Sequence, residues 1–86
     1  MTTMAEQISE LDNILKSLTE IQEDNTVPRN IRLKIESLVS FLKQDAERSI
    51  KVNKALSELE GMAGDVNLQS YARTQIWNIM SDLEKL

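Results

Sequence analysis

The chain has 86 residues and 41% hydrophobic content, enough for one modest core, and with only one Trp, one Tyr and one Phe that core must be largely aliphatic. It contains neither Cys nor His, which excludes disulfides, thiol nucleophiles, imidazole general bases and the usual zinc ligand sets. A formal charge of −4 argues against general nucleic-acid binding, yet residues 29–54 carry seven bases against three acids, a basic middle third between two acidic flanks.

Two Gly and one Pro leave little turn material for a sheet, so helices are expected throughout. Thr3 followed by Glu6 has the capping-box spacing and marks the start of the first helix. Its apolar residues Met4, Ile8, Leu11, Leu15 and Leu18 recur every three or four positions, and Ile14 and Ile21 widen the stripe. Residues 22–26 form a polar break. Pro28 then suits the first position of a second helix, where no amide hydrogen is needed, and that helix is expected to run to Lys43. Ile31, Ile35, Leu38 and Leu42 line its inner face with Val39 beside them, which leaves Leu33 roughly opposite and exposed.

Asp45 is the expected cap of the third helix, with Glu47 in its first turn, where the helix dipole favours negative charge. Val52, Ala55, Leu56, Leu59 and Met62 or Ala63 form its inner stripe, and Ile50 falls well off that line. Gly61 and Gly64 bracket the expected end. After a second break at residues 65–68, with Asn67 or Ser70 as the expected cap, Leu68, Ala72, Ile76, Ile79, Leu83 and Leu86 share one face with Met80 to the side. Trp77 lies about 130° from the centre of that face.

The second half echoes the first at an offset of 41 residues. Asp24 maps on Asp65, Val27 on Leu68, Arg32 on Arg73, Ile35 on Ile76 and Leu42 on Leu83, and Leu18 maps on Leu59. A repeat covering a helix, a polar break and a second helix implies two copies of one hairpin, neither able to bury its apolar stripe alone.

Four sets of residues are candidates for function. Asp24 with Arg32 and Asp65 with Arg73 sit at matching places in the repeats; they read either as an anion-binding arginine pair or as devices fixing each inter-helix turn, and the second is the expected role. The bases Arg29, Arg32, Lys34, Lys43, Arg48, Lys51 and Lys54 could meet RNA phosphates or an acidic partner, but no aromatic is interleaved for base stacking, and complementing the chain's own acidic flanks explains them better. Leu33, Ile50 and Trp77 leave the inner stripes and Tyr71 flanks its own; two or more of them converging would make a docking patch with a Trp anchor. The carboxylate pairs Glu20 with Glu23 and Glu58 with Glu60 read as solvated helix faces.

The run Val27-Pro28-Arg29-Asn30-Ile31-Arg32 after an acidic break, followed by Arg73-Thr74-Gln75-Ile76-Trp77 near the end, resembles the archaeal uncharacterised protein family numbered one hundred and forty-seven. The resemblance covers essentially the whole chain. It implies a small four-helix bundle of bromodomain-like topology with no assigned activity. The chain departs from the family pattern in its second break, where Val66 and Gln69 stand in place of prolines. Acetyl-lysine binding does not follow, because that pocket needs a long loop between the first two helices and this break is about five residues.

The expected architecture is all-α: one domain over residues 1–86, a compact up-and-down four-helix bundle built from two HEAT-like hairpins at about 4–43 and 46–85. The expected function is a non-catalytic protein interaction or adaptor module, self-associating or bound to another protein through Trp77, Leu33, Ile50 and Tyr71. The alternative is an accessory to RNA or the translation machinery using the basic third. No cofactor, metal or small-molecule substrate is expected. No stretch of 18 apolar residues and no secretory leader stands in the sequence, which predicts a soluble cytoplasmic protein without membrane contact.

Overall fold

A computed structural model describes the backbone of residues 4–86 and the side chains of residues 10–86. Four helices follow one another: α1 (Met4–Gln22), α2 (Arg29–Leu42), α3 (Arg48–Ala63) and α4 (Ser70–Glu84), and no strand occurs among the described residues. Thr3 and the side chains of Met4, Glu6 and Ile8 lie outside the described residues, and with them the expected capping box.

The helix starts differ from expectation in a consistent way. Pro28 is the N-cap of α2 rather than its first residue: its ψ of 141° is extended, and its carbonyl accepts the Arg32 amide at 3.1 Å. Glu47, not Asp45, caps α3 with the same extended geometry, its carbonyl accepting the Lys51 amide. Gln69, not Asn67 or Ser70, caps α4. None of these three residues makes a side-chain cap bond, and no acid stands in the first turn of α2, α3 or α4. These starts are fixed by turn geometry and by packing of the apolar stripe rather than by local capping chemistry. At its other end α3 closes at Ala63, between Gly61 and Gly64 as expected, with Gly64 as the C-cap at a right-handed φ of −83°.

Each helix packs on its chain neighbours, and α4 closes back on α1; the backbones of the diagonal pairs, α1 with α3 and α2 with α4, stay apart. With such short connections this is an up-and-down ring of four helices, 39 Å long and about 20 Å across. Packing is closest within the hairpins α1–α2 and α3–α4. Ile14, Leu18, Ile21, Ile31, Ile35, Leu38, Leu42, Leu59, Met62, Ile76 and Leu83 are the largest fully buried side chains, and no polar side chain among the described residues is buried with them. At about 1.5–3 kcal/mol for each fully buried aliphatic side chain, this aliphatic core is the dominant favourable contribution to folding.

Burial follows the 41-residue offset closely. Ile14 and Ala55, Leu18 and Leu59, Ile21 and Met62, Val27 and Leu68, Ile31 and Ala72, Ile35 and Ile76, Leu38 and Ile79, and Leu42 and Leu83 are all buried. Hydrogen bonding follows it too: the Val27 amide donates to the Asp24 carbonyl and the Leu68 amide to the Asp65 carbonyl, at 3.1 and 3.2 Å.

Candidate functional site

The two aspartates and two arginines act on backbone at the inter-helix turns. Asp24 Oδ1 accepts the Thr26 amide at 2.9 Å and the Thr26 hydroxyl at 2.6 Å; Asp65 Oδ1 accepts the Asn67 amide at 2.8 Å. Those two bonds from Thr26 hold the Asp24 carboxyl below the ordinary aspartate range; desolvation opposes them and the positive charge of Arg32 adds to them. Arg32 Nε donates to the Val27 carbonyl at 3.1 Å. Arg73 reaches further, giving Nε to the Ala63 carbonyl at 2.9 Å and Nη2 to the carbonyls of Asp65 and Leu68 at 3.0 and 3.1 Å. A guanidinium forked over backbone carbonyls at the end of α3 and in the following turn closes that turn.

The seven basic residues do not form one face. Lys34 and Lys43 stand about 180° apart around α2, and Arg29 is about 140° from Lys34. Lys51 Nζ donates to the Leu42 carbonyl at 3.1 Å, which caps the C-terminus of α2 from the next helix. Lys54 Nζ sits 4.4 Å from the centroid of the Phe41 ring, a cation–π contact across the same seam. Arg29, Lys34, Lys43 and Arg48 are exposed. Lys34, Lys51 and Lys54 are the three that line the junction of α2 with α3.

Leu33, Ile50, Tyr71 and Trp77 are exposed by 52, 54, 69 and 56%. Not all four share one face. Tyr71 and Trp77 lie about 120° apart around α4, and Leu33 belongs to α2, which does not touch α4. Val66, 90% exposed at the α3–α4 turn, is a fifth surface apolar residue that stripe counting overlooks, because it falls in a loop. The repeat itself contains the signal. The residues 41 positions away from Leu33, Ile50, Val66, Tyr71 and Trp77 are Thr74, Ser9, Asn25, Asn30 and Glu36, all polar. The halves bury alike and expose unlike, and four of the five exposed apolar residues belong to the second hairpin and its turn.

Among the described residues, surface hollows lie at both seams between the hairpins. An open groove of about 410 Å³ between α2 and α3 is lined by Lys34, Ser37, Ser57, Glu58, Gly61 and Met62. A smaller hollow of about 250 Å³ between α1 and α4 is lined by Glu10, Asn13, Asp82 and Lys85. Among the described residues no three His, Cys, Asp or Glu side chains come together as metal ligands, and no helix is long and apolar enough to cross a membrane.

Comparison with known proteins agrees with this arrangement. A family model described as an uncharacterised protein family, UPF0147, matches residues 1–86. A UPF0147 protein of Archaeoglobus fulgidus is 38% identical over 76 residues, spanning 88% of this chain and 87% of the relative. The crystal structure of a UPF0147 protein from Thermoplasma acidophilum superposes with a TM-score of 0.85 at 32% identity, covering 91% of this chain and 93% of that one. The crystal structure of the unknown function protein MMP1188 gives a TM-score of 0.85 at 36% identity over 100% of this chain and 96% of its own.

Proposed function

Since the chain belongs to UPF0147, an uncharacterised protein family, we propose that it is a non-catalytic interaction module whose contact with a partner protein, or with a second copy, is anchored by Trp77. The observation that carries this reading is the asymmetry of the two hairpins. Their buried positions correspond, while Trp77 stands 56% exposed where the first hairpin has Glu36. An indole more than half exposed adds little to the core, and Trp is among the residues that interface cores favour most. Tyr71 and Val66 place further apolar surface on the same hairpin and its turn, and the absence of any His or Cys from the sequence supports a role without chemistry. The reading includes the internal duplication: two HEAT-like hairpins in a bromodomain-like arrangement, with the second specialised at its surface.

A nucleic-acid role has less support, because the seven bases do not share one face and the chain as a whole is acidic. Sizing the pure protein across a wide concentration range, beside capture from native extract, tests the proposal. Trp77 is the sole tryptophan, so its emission reports directly on its own burial. The expected result is association, or one stoichiometric partner, accompanied by a blue shift and abolished by Trp77→Ala, with stability changed by less than about 0.5 kcal/mol as for a surface site. A protein monomeric at every concentration, with no captured partner that depends on Trp77, overturns it.

A further inference from the structure

We propose that the connection between α2 and α3 is a hinge, and that two copies of the chain exchange hairpins about it, α1–α2 of each packing on α3–α4 of the other. The three connections of the fold are built differently. The first and third each bury an apolar residue, Val27 or Leu68, hook an aspartate onto a following amide, and receive an arginine that donates to carbonyls of the turn. The second, residues 43–47, is exposed throughout and contains neither Gly nor Pro, and its cap Glu47 makes no side-chain bond. Glu47 is already extended, with ψ of 141°, and no residue there has a positive φ. The chain reverses through conformations that any residue adopts, so straightening it strains nothing. What holds it shut is two contacts of flexible side chains, Lys51 Nζ on the Leu42 carbonyl and Lys54 over the Phe41 ring.

Packing decides what comes apart. It is closest within each hairpin, and α2 with α3 is the least closely packed of the four neighbouring pairs, so opening separates hairpin from hairpin before it separates the helices within either. A hairpin of about 40 residues does not stay folded with its apolar stripe in water. The surface that matches the stripe is the other hairpin, and in a second opened copy that surface is free. Exchange rebuilds both seams residue for residue, which identifies the partner as another copy of this chain. Reach suffices as well. In an up-and-down ring α2 ends and α3 begins at the same end, and five extended residues span about 17 Å, enough to pass from one bundle to a second stacked on that end. The closed form competes through its short connection, which holds the two hairpins at an effective concentration on the order of 1 mM. Exchange therefore needs a comparable protein concentration, or a connection too short to close.

The test refolds the intact protein from urea at about 1 µM and at about 1 mM and sizes both samples after dilution. The dilute sample is expected to be monomeric, and the concentrated one to contain a dimer share of about one third or more. That dimer should relax to monomer only as fast as the protein unfolds globally by circular dichroism, because both seams must break first. Deleting residues 43–47 joins Leu42 directly to Arg48; neighbouring Cα atoms are about 3.8 Å apart and packed helices about 8–10 Å, so the closed monomer is impossible and a helical dimer is expected at every concentration. Asp45→Asn together with Ala46→Gly supplies tight-turn chemistry and is expected to lower the dimer share at 1 mM at least about threefold. Trp77→Ala leaves the share unchanged, which tells exchange apart from association through Trp77. A concentrated sample that is wholly monomeric, a dimer that dissociates faster than the protein unfolds, a dimer lost with Trp77→Ala, or a folded monomer of the shortened chain overturns the proposal. The wild-type result decides it whether or not the shortened chain folds.

Discussion

At the scale of single residues, the clearest assignments are the two arginines, and they are not equal. Arg32 gives one donor to the Val27 carbonyl, while Arg73 spans three carbonyls at the end of α3 and in the following turn. A hydrogen bond from a charged donor is stronger than a neutral one, but both guanidinium groups are only partly buried, so water recovers part of what is lost. Arg73→Ala is therefore expected to lower stability by about 1–2 kcal/mol and Arg32→Ala by about half of that. Arg73→Lys should recover little, because a compact ammonium cannot reach three acceptors as a fork does. Urea denaturation of the three variants checks the order; equal losses for Arg32 and Arg73 would show that the extra carbonyls contribute nothing. The sequence placed these arginines at the turns through the repeat, as devices fixing each turn, and Arg73 on α4 does reach back to the last residue of α3, Ala63. That the acceptors are backbone carbonyls is something side-chain spacing does not encode.

At the scale of helices, the apolar period was legible and the starts were not. Ile31, Ile35, Leu38 and Leu42 are buried as their spacing implies, and Leu33 and Ile50 are exposed as theirs implies. The starts of α2, α3 and α4 shifted by one or two residues because Pro28, Glu47 and Gln69 occupy extended backbone without a side-chain cap, so the usual cap residues carried no information. The end of α3 was legible, because Gly61 and Gly64 bracket it as their spacing implies, Gly61 inside the helix and Gly64 as its C-cap. The place of Gly61 inside the helix has a measurable consequence. Gly61→Ala adds a methyl into open space and removes backbone freedom from the unfolded chain, so it should stabilise by about 0.5–1 kcal/mol. For a domain of this size that corresponds to a melting temperature higher by about 4 °C. A lower melting temperature would mean that the space beside Gly61 is already occupied, and would count against the groove as well.

At the scale of the whole molecule, the question is whether two hairpins that bury alike behave as two units or one. Each hairpin has about 40 residues, a length at which a chain rarely buries enough surface to fold alone. Each inner stripe is covered in part by the other hairpin, since α4 packs on α1 and α2 on α3. Ile35 and Ile76 occupy matching places, and both are 0% exposed. Truncating either removes the same buried volume from a core that both hairpins share, so Ile35→Ala and Ile76→Ala should each cost about 2–5 kcal/mol, a large fraction of the stability of a small domain. The physical consequence of a shared core is that the damage cannot stay local. Both variants are expected to unfold in one transition, with the same midpoint by far-ultraviolet circular dichroism, which follows all four helices, and by the emission of Trp77, which follows the second hairpin alone. If Ile35→Ala left the Trp77 transition in place while half of the helical signal melted earlier, the hairpins would be independent folding units. The seams between them would then be dispensable contacts.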